Sequence, residues 1–378
     1  FNDSRSVNVA MSNDNLTFCY GCMSPLEEGR SVCPRCGYSN RTPVDPNYLA
    51  PGSVLSGRYL VGKVFSVNGE GVKYIGFDQE QKCRVWIREF FPQKLSSRNQ
   101  ENGEVMARSG EEIAFKALMA DFQDLLKTLR SVQDLGNIVP LLETFQENGT
   151  TYGIFEYRNV ITLGSLITRS GGDLTWSQVK KMIMPLLNTV AALHRQKVLH
   201  LGICPDTLLV DQEGKIWLDG FATTALRSDQ SEISPELFPG YSAPEQYHQG
   251  EAWQGTWTDV YALAAVCYRA ITGTRPPEAV TRIGEDNLLP AQELNAAIPD
   301  NVSQALERAL CLGVEERTPS VENLTSQLLE VASSNTAVYA MPNKTGKIPV
   351  AEEPTQHIVQ KKDPKAQKKS NMVAFGIT

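Results

Sequence analysis

Positive charge is in short supply in this sequence, and no repeated unit is present. Of 378 residues, 36 are Lys or Arg against 43 Asp or Glu, a net charge of −7. That balance argues against a general nucleic-acid-binding protein, although a local basic patch is compatible with it. No period of roughly 20–50 residues recurs, which sets aside solenoids and propellers. No secretory leader is read at the start; residues 1–10 (FNDSRSVNVA) precede Met11 and read as an appended remnant or an upstream extension. Outside one cluster, cysteine is sparse: Cys83, Cys204, Cys267 and Cys311 stand singly in apolar surroundings. Such cysteines act as small hydrophobes and point to a reducing, cytoplasmic compartment. The rest is ordinary globular composition, 41% hydrophobic and 21% charged. The length supports one large domain or two medium ones with real cores.

The clustered cysteines are Cys19-Tyr-Gly-Cys22 and, ten residues on, Cys33-Pro-Arg-Cys36-Gly37. Two CxxC pairs at this spacing bring four thiolates to one point and predict a tetrahedral zinc site. Four thiolates leave no open coordination position, so the site is structural. So short a segment buries no core, and the metal must supply its folding energy. The competing reading is a pair of disulfides, which the reduced character of the other cysteines disfavours. The segment looks like a zinc ribbon. Three prolines at 43, 46 and 51 then make residues 41–56 a stiff extended linker.

Apolar alternation predicts strands over Tyr59–Phe65, Val72–Asp78 and Cys83–Phe90, and later over Ile138–Leu142 and Tyr152–Tyr157. Ile113, Leu118, Phe122, Leu125 and Leu129 predict a helix over Glu111–Leu129. Thr175–Gln196 reads as an amphipathic helix, opened by the capping box Thr175-x-x-Gln178, kinked at Pro185, and burying Val179, Met182, Ile183, Leu186, Val190 and Leu193.

That helix leads into Leu199–Thr223, reading LHLGICPDTLLVDQEGKIWLDGFAT. Val85–Pro92 reads VWIREFFP, Gly240–Tyr247 reads GYSAPEQY, and Glu316–Ser320 reads ERTPS. Together these motifs resemble bacterial eukaryotic-like (Hanks-type) Ser/Thr protein kinases over residues 57–332. That family reads VAIKEFFP, hHRDhxPxNhhh, DFG, GYSPPEQY and DRPxS at these places. The resemblance implies a two-lobed α+β fold with a five-stranded small lobe and a hinge at Glu156-Tyr157. It also implies that Asp259 ties down the loop after His200, and that Arg317 pairs with Glu245.

The residues that would do kinase chemistry do not match. By the resemblance, Gly202 stands for the catalytic Asp, Cys204 for a Lys or Ser, Thr207 for the metal-binding Asn and Gly220 for the Asp of DFG. Arg88 stands for the phosphate-pairing Lys, and Leu125 for its helix Glu, with Asp124 one position away. The Gly-rich loop that covers the phosphates reads Ser66, Asn68, Gly71, or is a plain hairpin. Trp86 replaces an Ala and either fills the adenine pocket or turns into the core. Phe155 falls at the gatekeeper position. Asp219 is either a residual metal ligand or a turn residue. Cys204 has no base beside it in sequence to make it a nucleophile.

From residue 333 the chain turns polar, gathers Lys361, Lys362, Lys365, Lys368 and Lys369, and enters an apolar run at 370–378. One reading is a transmembrane helix continuing past Thr378, with the basic residues on the cytoplasmic side; the other is a basic disordered tail. The segments expected are therefore a tail (1–17), zinc ribbon (18–40), linker (41–56), N-lobe (57–157), C-lobe (158–332), polar and basic linker (333–369) and apolar start (370–378). The expected function is a catalytically inactive pseudokinase. It would be a signalling or scaffold module that binds structural zinc and partner proteins, with no nucleic acid and nucleotide bound weakly or not at all. It would be anchored to the membrane after residue 370 from the cytoplasmic side. Two alternatives stand beside it: an atypical Ser/Thr kinase with weak ATP- and Mg-dependent phosphotransfer, and a switch that binds nucleotide without turnover.

Overall fold

The computed structural model describes residues 17–27, 29–247 and 253–330. The chain opens with a two-residue hairpin, β1 (Thr17–Phe18) with β2 (Pro25–Leu26). A six-stranded antiparallel sheet follows, built from β3 (Val54–Leu55), β4 (Tyr59–Val67), β5 (Gly71–Asp78), β6 (Cys83–Phe90), β9 (Leu141–Glu147) and β10 (Thr150–Glu156). Its order is β3-β4-β5-β6-β10-β9. Between β6 and β9 come a short hairpin, β7 (Ser96–Arg98) with β8 (Val105–Ala107), and α1 (Glu112–Val132). Five of the six strands meet the expectation. The sixth, β3, arises in the stretch read as linker, where Leu49 and Leu55 are also buried.

α1 buries Phe115, Leu118, Phe122, Leu126 and Leu129. The stripe is therefore shifted from the one read in sequence: Ile113 is 86% exposed. Spacings of three and four keep one face inward, and only the phase was misread, because Leu125 and Leu126 are adjacent and equally apolar.

The second lobe is mostly helical. β11 (Ile161–Thr162), β12 (Leu208–Val210) and β13 (Ile216–Leu218) form a small sheet at its top. Below it lie α2 (Leu163–Arg169), α3 (Trp176–Arg195), α4 (Thr256–Thr272), α5 (Ala279–Arg282), α6 (Ala291–Leu294), α7 (Asp300–Ala309) and α8 (Val321–Leu329). The Thr175–Gln178 capping box forms as read, and α3 runs on through Pro185. α4 buries every residue from Thr258 to Tyr268, the pattern of a helix enclosed on all sides.

The membrane-anchored location expected above is corrected: among the described residues, no helix is long and apolar enough to cross a membrane. The apolar run at 370–378 and the five lysines before it lie outside the described residues.

Candidate functional site

Two chemical centres stand out, a four-cysteine cluster and a cleft between the lobes. In the cluster the Cys19 and Cys36 sulfurs are 3.6 Å apart and those of Cys22 and Cys33 are 3.8 Å apart. All four sulfurs lie within 4.8 Å of one another and none is in a disulfide. A tetrahedron with Zn–S bonds of about 2.3 Å has edges of about 3.8 Å, so the set could hold zinc. Backbone turns aim the thiols: the Met23 amide donates to the Cys19 carbonyl, and the Gly37 amide to that of Cys33.

The cluster is seated on the sheet. The Lys63 amide donates to the Tyr20 carbonyl at 2.7 Å. Met23 is buried against Leu60 and Ile75, with Phe18, Phe77, Trp86 and Tyr157 packed alongside. The cysteine segment thus reaches two residues, Trp86 and Tyr157, that also line the cleft.

The cleft is a cavity of about 490 Å³, within the range of small-molecule sites. Ser66, Asn68, Gly71, Trp86, Arg88, Tyr157, Thr207, Asp219 and Gly220 all line it. Phe155 and Glu156 do not: Phe155 is buried behind Arg88, whose guanidinium carbon is 5.6 Å from its ring. Trp86 neither fills the cavity nor turns away. It lies in the wall between Phe65 and Tyr157, at ring distances of 4.6 and 5.2 Å.

The loop after α3 is held from below. The Asp259 carboxylate accepts the amides of His200 (2.9 Å) and Leu201 (2.7 Å) and contacts His194 Nε2 at 2.9 Å. His200 donates through Nε2 to the Asp219 carbonyl and accepts the Gly202 amide at Nδ1. Burial, with Arg227 nearby, outweighs Asp259 and pushes its pKa down to about 4, so the imidazole is neutral. Burial pushes the Cys204 thiol up, which keeps it protonated.

The positions at which the sequence departs from the kinase motifs each have a defined physical setting. A side chain at Gly202 would put its Cβ 2.5 Å from the guanidinium carbon of Arg227. Arg227 is 1% exposed and donates to the carbonyls of Gly220 and Glu236 and to the Glu236 carboxylate. Gly220 has φ +81°, and a Cβ there would meet the Thr207 methyl at 2.6 Å. The Thr207 hydroxyl is spent on the loop itself: it donates to the carbonyls of Gly202 and Cys204 and accepts the Cys204 amide. Asp219 pairs with Lys73 at 2.9 Å. Burial raises its carboxyl, but the Lys73 ammonium more than offsets this and holds it below the usual carboxylate range.

On the sheet side, Arg88 pairs with Glu70 at 2.7 Å and donates to the Phe221 carbonyl. The α1 residue that meets Arg88 is Phe122, with the guanidinium carbon 5.5 Å from its ring. Leu125, expected at the ion-pairing position, is partly buried against the core and does not line the cleft. Glu70, Lys73 and Arg227 escaped the sequence reading, and Phe122 entered it only as part of the apolar stripe of α1. Lys73 and Arg88 are directly opposed across β5 and β6. Two cations so placed demand carboxylate partners, and that was the available signal for Glu70 and Asp219.

Against known families, the protein kinase domain matches residues 104–335, more than half of the chain. The chain belongs to the protein kinase domain family. This kinase-like domain is 25% identical over 235 residues to the serine/threonine-protein kinase PrkC of Bacillus subtilis, covering 57% of the chain and 36% of that protein. It is 26% identical over 231 residues to serine/threonine-protein kinase F of Synechocystis, covering 58% and 45%. The chain thus spans less than half the length of these two relatives. Two solved structures share its fold. The PpkA-294 apo form does so with a TM-score of 0.61, 24% identity, and coverage of 75% of this chain and 99% of that one. The PknI kinase domain of Mycobacterium tuberculosis does so with a TM-score of 0.53, 16% identity, and coverage of 74% and 98%.

One prediction arises from the packing at Gly202. Gly202→Ala brings a methyl onto the buried Arg227 guanidinium, and overpacking of this kind costs about 1–3 kcal/mol. Urea unfolding measures it; an unchanged midpoint and slope would mean that Arg227 does not occupy that space in solution.

Proposed function

We propose that this kinase-like domain is a pseudokinase: it transfers no phosphate and acts as a binding module for partner proteins, with its four cysteines holding one structural zinc. One observation carries the reading. The space into which the family's catalytic Asp would project, at Gly202, is filled by the Arg227 guanidinium. An arginine cannot take a proton from a substrate hydroxyl, and loss of a general base alone removes a factor of ~10²–10⁴.

The donor set for Mg²⁺ supports the same reading. Kinases hold their metal with an Asp and an Asn. Here Asp219 is the carboxylate at that place and Lys73 already holds it. The Thr207 hydroxyl is committed to the loop backbone, and Gly220 offers nothing. These residues do not fit a Mg²⁺-nucleotide complex. The couplings that keep the fold rigid, Asp259 under the loop and Arg317 on Glu245, remain in place. Such a domain retains defined surfaces for partners without the groups for chemistry.

A second reading, an atypical Ser/Thr kinase, draws on one feature: Asp219 does face an open cleft. Radiolabelled phosphate incorporation, with Mg²⁺ and with Mn²⁺, separates the two. We expect none above background. Incorporation that Asp219→Ala abolishes would establish the kinase instead.

A further inference from the structure

The loop between β4 and β5 carries an acid into the cleft. Glu70 is 2% exposed although it sits in a hairpin tip. One carboxylate oxygen pairs with Arg88 at 2.7 Å, and the other accepts the amide of Thr223 at 3.0 Å. It therefore binds a guanidinium on the sheet and a backbone N–H of the second lobe at once. That is how a bound anion is held. The loop is closed around it. The amides of Glu70 and Gly71, which in a phosphate-covering loop would face the ligand, both donate to the Asn68 side chain at 3.1 Å. Gly69 lies against the Ser234 backbone so closely that no side chain could be added.

The neighbouring cations are also taken. Lys73 is paired with Asp219, Arg158 with Glu156, and Arg227 with Glu236. A polyphosphate entering this cleft would meet an opposing carboxylate, with Arg88, Lys73, Arg158 and Arg227 each already paired. Like charges brought together in this way repel and weaken binding. The same cavity also has an aromatic wall. Trp86, Phe65 and Tyr157 cluster in it with Val72 and Leu209, and the Lys73 ammonium lies 4.9 Å from the Trp86 ring centre and 5.8 Å from that of Phe65. Flat aromatic ligands stack on such surfaces without needing charge.

We propose that Glu70 is the specificity-determining residue of this cleft, a built-in anion that excludes polyphosphates and leaves the site selective for uncharged aromatic ligands such as nucleosides. This deepens the non-catalytic reading above and rests on it. Because Glu70 is held by Arg88 and the Thr223 amide and not by the aromatic residues, neutralising it changes the anion position without removing the aromatic wall.

Calorimetric titration of the full chain with adenosine and with ATP, each with and without Mg²⁺, tests this. The wild type is expected to bind adenosine at least about tenfold more tightly than ATP. Glu70→Gln keeps the shape and removes the charge. It is expected to raise ATP affinity by about tenfold or more while changing adenosine affinity by less than about twofold. Adding Arg88→Met to Glu70→Gln should abolish the gain, because Arg88 is the cation that Glu70 occupies. Wild-type ATP binding as tight as adenosine binding, no adenosine binding at all, or an unchanged ratio in Glu70→Gln each overturns the proposal. Phosphate incorporation, measured on the same wild-type samples, fails independently: its appearance refutes the non-catalytic reading whatever the affinity ratio.

Discussion

Stripping metal from the cysteine cluster is expected to release the whole segment 18–40 from the sheet. Among the described residues, that segment buries Cys19, Leu26 and Cys33 as a core of its own, far too little to offset the entropy of ordering its backbone. Structural zinc in finger peptides contributes on the order of 10 kcal/mol at neutral pH, and that binding energy is folding energy. The effect should spread beyond the cluster. Met23 covers Leu60 and Ile75, and the Lys63 amide is satisfied by Tyr20. Losing the segment exposes that apolar patch and frees that amide. Purified protein is expected to contain close to one zinc per chain. Chelation, or Cys33→Ala, should speed hydrogen exchange at Lys63 and open the segment to protease while β6 and α4 stay protected. Protein free of zinc that keeps the Lys63 amide protected would sink the assignment. So would disulfides among these cysteines in reducing buffer.

The elements that sequence made legible share a property: each is specified by groups close together in the chain. The two CxxC turns, the Thr175 capping box and the strands Gly71–Asp78 and Cys83–Phe90 depend on neighbours within a few residues. The kinase-like motifs were legible for a related reason, since each is a short string. What escaped is what the fold brings together from far away. Arg227 meets Gly202 from 25 positions along, and Glu70 reaches Thr223 across the cleft. No local pattern encodes either contact. The phase of α1 was lost for a third reason. With Leu at both 125 and 126, apolar periodicity cannot choose which one faces inward, and the partner strands decide in favour of Leu126. The strand Val54–Leu55 was hidden by the prolines before it, which mark an extended chain without saying whether it pairs.

The long-range contacts also fix where the fold is most vulnerable. Arg317 and Glu245 join the segment after α7 to the one before α4, with side chains 0% and 1% exposed and contacts of 2.7 and 3.2 Å. Glu245 further accepts the hydroxyl of Thr258 at 2.7 Å. Arg317 additionally donates to the carbonyls of Cys311 and Leu312. Those carbonyls satisfy hydrogen bonds but not charge. Glu245→Ala therefore leaves a guanidinium buried without a counter-ion, and breaking a buried pair from one side typically costs about 3–5 kcal/mol. Against a total stability of about 5–15 kcal/mol for a domain, much of the fold's margin disappears. Arg317→Met is expected to cost as much on its own, by stranding the carboxylate. The double variant should recover part of the loss, because neither charge is then left alone in the core. Urea unfolding of the two single variants and the double variant measures the coupling. Strictly additive losses would mean that the pair contributes nothing beyond its separate hydrogen bonds, and that the two segments are held together by the packing around Tyr261 instead.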